Sequence, residues 1–357
     1  MRTLDRYIAK TVILSMLVIM ALIGGVDFLF TYIDELGDIN ANYSAMNALQ
    51  FVLMTTPTAL HELLPFMALG GALVGLGILA SSNELVIMQA AGISTYRIAW
   101  SVMKPTLLVM LLGLFMGEWL APTLEQQAQS NRALIQSGGE AINTSHGDWH
   151  KIGNEFVHVN AIAPGGRQLF GITRYQLNER RQLISSSFAS AARYIQTPDT
   201  NYWLLEDVVE TRFANAQIMT DQHDTMTWEV DLSPQLLSVL LVEPKYQSIS
   251  GLYRFAGYFA TQNLDSKPYF LAFWKKLLQP LTTAALVLLA ISFVFGPLRD
   301  ATMGYRVFVA ICIGLGFNII ERTLAPTTLI YGLDPVLAVL LPIMLSAGLG
   351  LALLRRV

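Results

Sequence analysis

The sequence predicts a membrane α-helical protein with six transmembrane helices and an inserted all-β, jellyroll-like domain. Three observations carry that reading. Hydrophobic residues make up 53% of the 357 residues and charged residues 14%, whereas soluble domains are about a quarter charged. Six apolar runs approach or exceed the roughly 20 residues that a bilayer-spanning helix needs. Between the third and fourth runs, from Gly138 to about Glu229, hydrophobic residues recur at period two, the pattern of half-buried strands. The expected organisation is three spans over residues 1–137, a β domain over 138–268 and three more spans over 269–357.

The opening MRTLDRYIAK supplies Arg2, Arg6 and Lys10, and an apolar run then extends from Val12 to Ile33, interrupted by Gly24, Gly25 and Asp27. A signal peptide has a shorter apolar core and a small-residue cleavage site, so this run reads as a retained first span. The connection from Asp34 to Pro57 holds Asp34, Glu35 and Asp38 and no lysine or arginine. The second span is expected from about Thr58 to Ala80, where Gly70, Gly71, Gly75 and Gly77 permit close helix contact. The segment SSNELVIMQAAG follows. In it Glu84, Leu85, Met88 and Gln89 lie at helical spacing and Gly92 is a natural stop, which predicts a short surface helix at the membrane edge. The third span runs from about Ile98 to Pro122, with a polar helical extension over Glu125–Ser137 that contains Arg132.

Strands are expected at Glu155–Ala161, Leu169–Leu177, Leu183–Ile195, Tyr202–Phe213 and Thr225–Leu232. Pro164-Gly165-Gly166, Asn178-Glu179 and Pro198-Asp199 supply turns between them. Five or more short strands in succession suit a sandwich or an open jelly roll. Helical pattern returns over Ser233–Val242 and Ser248–Gln262, and apolar runs at Phe270–Phe295, Val307–Ala325 and Val336–Leu354 complete the chain.

Lysine and arginine in short connections mark the cytoplasmic side. They occur at the N-terminus, between the second and third spans (Arg97, Lys104), between the fourth and fifth (Arg299, Arg306) and at the end (Arg355, Arg356). The opposite side carries Arg322 in the connection after the fifth span. Both termini and the SSNELVIMQAAG segment are thereby assigned to the cytoplasm, and the β domain to the other side.

No GxxxxGK[ST] loop, GxSxG elbow, HExxH pair or His/Cys cluster occurs. The sequence therefore offers no foothold for ATP hydrolysis, nucleophilic catalysis or a metal site, and reads as a non-enzyme. Cys312 stands alone in an apolar run, which excludes an intrachain disulfide. Charges at membrane depth say more. Lys275 and Lys276, in FWKKLLQP, serve either as snorkelling anchors beside Trp274 or, with Lys276 the deeper, as cations that face an internal cavity and meet an anionic headgroup. Arg132 has the same two readings. Asp27 lies well inside a span and is expected to face a wet cavity or pair with a cation. Glu84 is either a solvated acid favoured by a helix start or a functional contact.

Several motifs occur in order on consistent sides: LDRYIAK at the start, NELVIMQAAGIS after the second span, GEWLAP ending the third, FWKKLLQPL opening the fourth and FGPLRDATMG after it. Together they resemble the lipopolysaccharide-export permeases, the paired LptF and LptG subunits of an inner-membrane transporter of Gram-negative bacteria, the G-type subunit more closely. The resemblance runs from Leu4 to the C-terminus, strongest at these motifs and weakest in the β domain.

The resemblance implies a half-transporter that pairs with an LptF-like subunit around a central cavity in the bacterial inner membrane. ATP and Mg would be bound by a dimer of LptB ATPases, so this chain would need no cofactor. Glu84, with Leu85, Met88 and Gly92, would dock into an ATPase groove. Lipopolysaccharide would enter from the outer leaflet past the first and fifth spans and leave along a periplasmic jellyroll toward LptC and LptA; no nucleic acid is involved. Arg132 and Lys276 match basic cavity residues of the family. Thr31, Gly37 and Asp38 stand where some relatives carry lysines, which shifts phosphate contacts to Arg132, Lys276 and the partner. Beside Asp27, the residues Phe28, Leu29, Leu63, Leu64, Phe66 and Met67 would wall the cavity against acyl chains. Two other classes compete. An ion-driven secondary transporter calls for internal repeats, discontinuous helices and paired intramembrane acids, and Asp27 alone does not meet this. A scaffold for the β domain would not require Asp27, Lys276 and the Glu84 helix together.

Overall fold

The computed structural model describes residues 2–136, 149–152, 154–162, 167–178, 182–197, 200–214, 217–230, 244–261, 266–298 and 301–355. Contacts divide the chain into two compact units: residues 1–34, 52–125 and 244–357, and residues 35–51 and 126–243. The helix after the β region, grouped by sequence with the strands, packs in the first of these.

The helices are α1 (Arg2–Leu36), α2 (Ala45–Ser81), α3 (Glu84–Ala90), α4 (Thr95–Phe115), α5 (Ala121–Gln136), α6 (Ile249–Thr261), α7 (Lys267–Phe295), α8 (Met303–Tyr331) and α9 (Pro335–Leu354). A π turn, Met116–Leu120, joins α4 to α5. Among the described residues, six segments are long and apolar enough to cross a membrane: Thr3–Leu36, Ala45–Ser81, Thr95–Gln129, Lys267–Phe295, Met303–Thr328 and Pro335–Leu354. The chain is a multi-pass membrane protein. Its second span starts earlier than the expected Thr58, because Pro57 lies inside α2 instead of ending the preceding connection. Prolines are tolerated in spanning helices where neighbours satisfy the freed backbone groups.

In the helical unit, Ile8, Val12 and Met16 of α1 are buried with Ala68, Leu69, Ala72, Leu73 and Leu76 of α2. Gly71 makes that contact close: a Cβ there would overlap the backbone of Met16. Without a hydrophobic driving force between helices in lipid, such small-residue approach is how spans gain packing energy. The other face of α1, including Leu14, Leu22, Phe30 and Ile33, is exposed and apolar along its length. Arg306 on α8 is buried and donates to the carbonyls of Gly77 at 2.6 Å and Leu298 at 3.2 Å, which holds α8 to α2 at one end.

The second unit carries a six-stranded antiparallel sheet in the order β1 (Trp149–Ile152), β2 (Glu155–Ile162), β3 (Gln168–Leu177), β4 (Leu183–Gln196), β5 (Asn201–Ala214) and β6 (Gln217–Trp228). The inserted all-β domain is as expected. Among the described residues its strands form one open sheet in sequence order, without a jellyroll crossover. Val157, Val159, Ile172, Ala189, Trp203, Leu205 and Val208 are buried in it. Arg174 grips Glu155 through contacts at 2.9–3.1 Å and lies 4.9 Å over the Trp228 ring. Asn178 and Gln182 close the β3–β4 turn by backbone and side-chain bonds at 2.9 Å. β6 begins at Gln217, not Thr225; in QIMTDQHDTMTW the exposed Ile218 and Met219 break the alternation by which strands are recognised. The turn residues Pro164, Gly165, Gly166, Glu179, Pro198 and Asp199 and the helix expected over Ser233–Val242 lie outside the described residues.

Candidate functional site

In the helical unit, polar chemistry gathers where α2, α7 and α8 meet. Pro65 lacks the N–H that would bond the His61 carbonyl one turn earlier. Gln279 of α7 takes its place, donating Nε2 to that carbonyl at 2.5 Å. The His61 ring fits because Gly117 of the π turn has no side chain; a Cβ there would collide with the imidazole. His61 Nε2 is buried and makes no hydrogen bond among the described residues. One turn N-terminal to Gln279, Lys276 is 9% exposed, and its Nζ donates to the Gln247 carbonyl at 2.6 Å. An ammonium taken this far from water needs such a partner.

Lys276, His61 and Gln279 line a cavity of about 350 Å³. Lys245, Lys275 and Arg322 add three more cations to its wall, and Glu62 and Glu321 add two carboxylates. Lys275 pairs with Glu321 at 3.2 Å. With four basic and two acidic side chains, the cavity is positive overall, and low-dielectric walls concentrate such a field. The arrangement suits an anion with several acceptor oxygens. Lys276 lies on the wall of this cavity. Lys245, Arg322 and His61 were not singled out as site residues by sequence; Arg322, beside Glu321 at the end of an apolar run, was used only as a marker of sidedness.

Arg132 belongs to the second unit. Its Nε and Nη2 reach Glu35 and Asp38 at 2.5 Å each, and its guanidinium lies 5.1 Å over the Phe51 ring. Glu35 also accepts from the Tyr43 hydroxyl at 2.8 Å, and Tyr43 is 1% exposed. Asn40 organises the turn by accepting from the N–H groups of Asn42 and Tyr43, both at 2.9 Å. Burial, and then the hydrogen bond to Glu35, push the Tyr43 phenol well above its ordinary range.

α3 is a seven-residue helix ended by Gly92 at φ +86°, a backbone conformation glycine adopts without strain. Leu85 and Met88 turn into the helical core. They root α3 in the chain itself, and the outward residues are Val86 and Ile87, the latter 65% exposed. Glu84 accepts from Tyr7 Oη at 3.1 Å and from Ser82 Oγ at 2.9 Å. The other residues expected at the cavity divide. Leu29 is 59% exposed, whereas Leu64 and Met67 are buried packing residues. Phe28 and Leu63 are half-buried, and Phe66 meets Phe317 edge-on with centroids 6.2 Å apart. Asp27 is half-buried; of its two expected settings, a wet cavity or a paired cation, no cation pairs with it among the described residues.

A family model described as "Lipopolysaccharide export system permease LptF/LptG" matches residues 6–356. The chain is 37% identical over 341 residues to the "Lipopolysaccharide export system permease protein LptG" of Escherichia coli (strain K12), which covers 95% of this chain and 94% of that one. It is 33% identical over 344 residues to the protein of the same description from Haemophilus influenzae, which covers 96% and 95%.

Proposed function

The chain belongs to the lipopolysaccharide export permease family LptF/LptG, and from that premise we propose that it is one half of an ABC-type extractor. It pairs with an LptF-like subunit around a shared cavity in the bacterial inner membrane. It takes lipopolysaccharide from the outer leaflet and passes it toward a periplasmic bridge of LptC and LptA. A dimer of LptB ATPases binds ATP and Mg, while this chain binds neither. The basic residues of the connections support a topology with both termini and α3 in the cytoplasm and the sheet in the periplasm.

The observation that supports this reading most is the positive cavity around Lys276 within an apolar helical unit. A lipid phosphate brings acceptor oxygens that the cations of its wall can share, and desolvation there makes each contact stronger than in water. Phe28, Leu29 and Leu63 offer apolar surface to acyl chains, and Leu64, Phe66 and Met67 support it from behind. Asp27 keeps the first span polar at one point of the path. Arg132 contributes where Glu35 and Asp38 release it. Below, Leu85 and Met88 hold α3 firm, Gly92 sets its end, and Glu84, Val86 and Ile87 are gripped by the ATPase. A rooted helix passes a push onward as a rigid body.

The test is a complex of this chain with its partner permease and ATPase, reconstituted in liposomes that contain lipopolysaccharide. Lys276→Met is expected to assemble normally and to lose lipopolysaccharide-stimulated ATP hydrolysis. Unchanged stimulation would overturn the assignment and leave Lys276 an anchor.

A further inference from the structure

We propose that Tyr7 is a positioning residue: its hydroxyl fixes the carboxylate of Glu84 and ties α3 directly to α1. This rests on the docking of α3 to an ATPase proposed above. Tyr7 and Glu84 are 77 positions apart, and the bond between them, 3.1 Å from Oη to Oε1, crosses from the first turns of α1 to the first residue of α3. Ser82 also donates to Glu84 Oε1, at 2.9 Å, but it is two residues away and its hydroxyl lies against the Ile78 and Leu79 carbonyls that end the preceding helix α2. Tyr7 is the side chain that carries Glu84 to α1.

The rest of the inner end of α1 is placed to receive a displacement. The next residue, Ile8, and Val12 a turn further on belong to the same buried cluster as Leu85 and Met88 of α3. On the opposite side, Asp5 accepts from Ser101 Oγ at 3.0 Å and from Lys104 Nζ at 3.2 Å, both on α4. The start of α1 is thus fastened to α3 and α4 together, while one face of the helix is exposed and apolar among the described residues. A helix held at its inner end by two others and packed along another face on α2 carries a small shift at α3 onward along its axis. Tyr7 itself is 46% exposed, so its ring is not part of the core and its hydroxyl can be removed without opening a cavity.

The experiment uses the reconstituted complex and a double-mutant cycle of Tyr7→Phe, Glu84→Ala and both together, with lipopolysaccharide released per ATP hydrolysed as the readout and co-purification as the measure of assembly. Tyr7→Phe is expected to assemble fully and to lower the released amount per ATP by about two- to tenfold, the effect of one lost hydrogen bond. The double variant is expected to be no worse than Glu84→Ala alone, because both remove the same link. If Tyr7→Phe matches the parent, or the two effects multiply, the link is overturned while the docking role of α3 stands. If Glu84→Ala itself assembles and transports like the parent, the docking role fails and the link with it.

Discussion

The guanidinium of Arg132 is divided between Glu35 and Asp38, 2.5 Å from each. Its charge is already answered by the chain's own carboxylates. Lys276 differs: its Nζ rests on the neutral carbonyl of Gln247. An anionic headgroup has to displace acids to reach Arg132, but meets at Lys276 a cation held by a dipole. The headgroup contact proposed above therefore falls to Lys276 rather than to Arg132.

Asp38→Asn is therefore expected to release one side of the Arg132 fork and to tighten binding of an anionic lipid. Arg132→Met is expected to act mainly on stability. It leaves Glu35 buried with Tyr43 as its remaining hydrogen-bond donor from the cluster, at a cost of about 1.5–3 kcal/mol. Thermal unfolding of the purified chain in detergent, with and without lipopolysaccharide, separates the two. A larger loss of ligand-induced stabilisation in Arg132→Met than in Lys276→Met would contradict the ranking.

The two faces of α3 differ in the same testable way. Leu85→Ala truncates a core side chain and is expected to cost about 2–5 kcal/mol of stability. Ile87→Asp changes an exposed position and is expected to leave the melting temperature within a degree or two while abolishing co-purification of the ATPase. Co-purification at parental level from Ile87→Asp would remove the outward face from the docking surface.

What sequence could and could not deliver follows from which physics is local. The spans were legible because bilayer thickness fixes a length, and α3 was legible from Glu84, Met88 and the Gly92 stop. Which face of α3 looks outward was not, since Leu85, Val86, Ile87 and Met88 are all apolar and periodicity cannot choose between them. Pro57 misplaced the start of α2 because proline ends helices in water more often than in a bundle. The cavity was half legible: Lys276 announced itself as a charge in an apolar run. Lys245, His61 and Arg322 join it from separate parts of the chain, and the roles of Pro65 and Gly117 exist only once α2, the π turn after α4, and α7 are packed.

Close packing between α1 and α2 gives a further expectation. Gly71→Val places branched carbons where the backbone of Met16 already lies, and neither helix can yield without disturbing Val12 and Leu73 in the core. Overpacking of this kind costs about 1–3 kcal/mol or more. Gly25→Val, at a position with open space around its Cβ, is the control. A Gly71→Val protein that is as abundant and as heat-stable as Gly25→Val would show that α1 and α2 separate freely.

Tyr43 supplies the pH dependence. Its phenol is raised by burial and by the bond it donates to Glu35, so the folded chain holds this proton above the pH at which the unfolded chain releases it. The contribution is present in full below the ordinary tyrosine value of about 10 and is lost progressively as pH rises beyond it. Tyr43→Phe keeps the ring and removes the titration. Its stability is expected to be lower than the parent's near neutrality, where the hydroxyl bond to Glu35 is missing, and the gap is expected to narrow as pH climbs past about 10. Chemical unfolding followed across pH 7 to 11 measures that gap directly, and a gap that widens with alkalinity would show the phenol ionising more readily in the folded state than in the unfolded one.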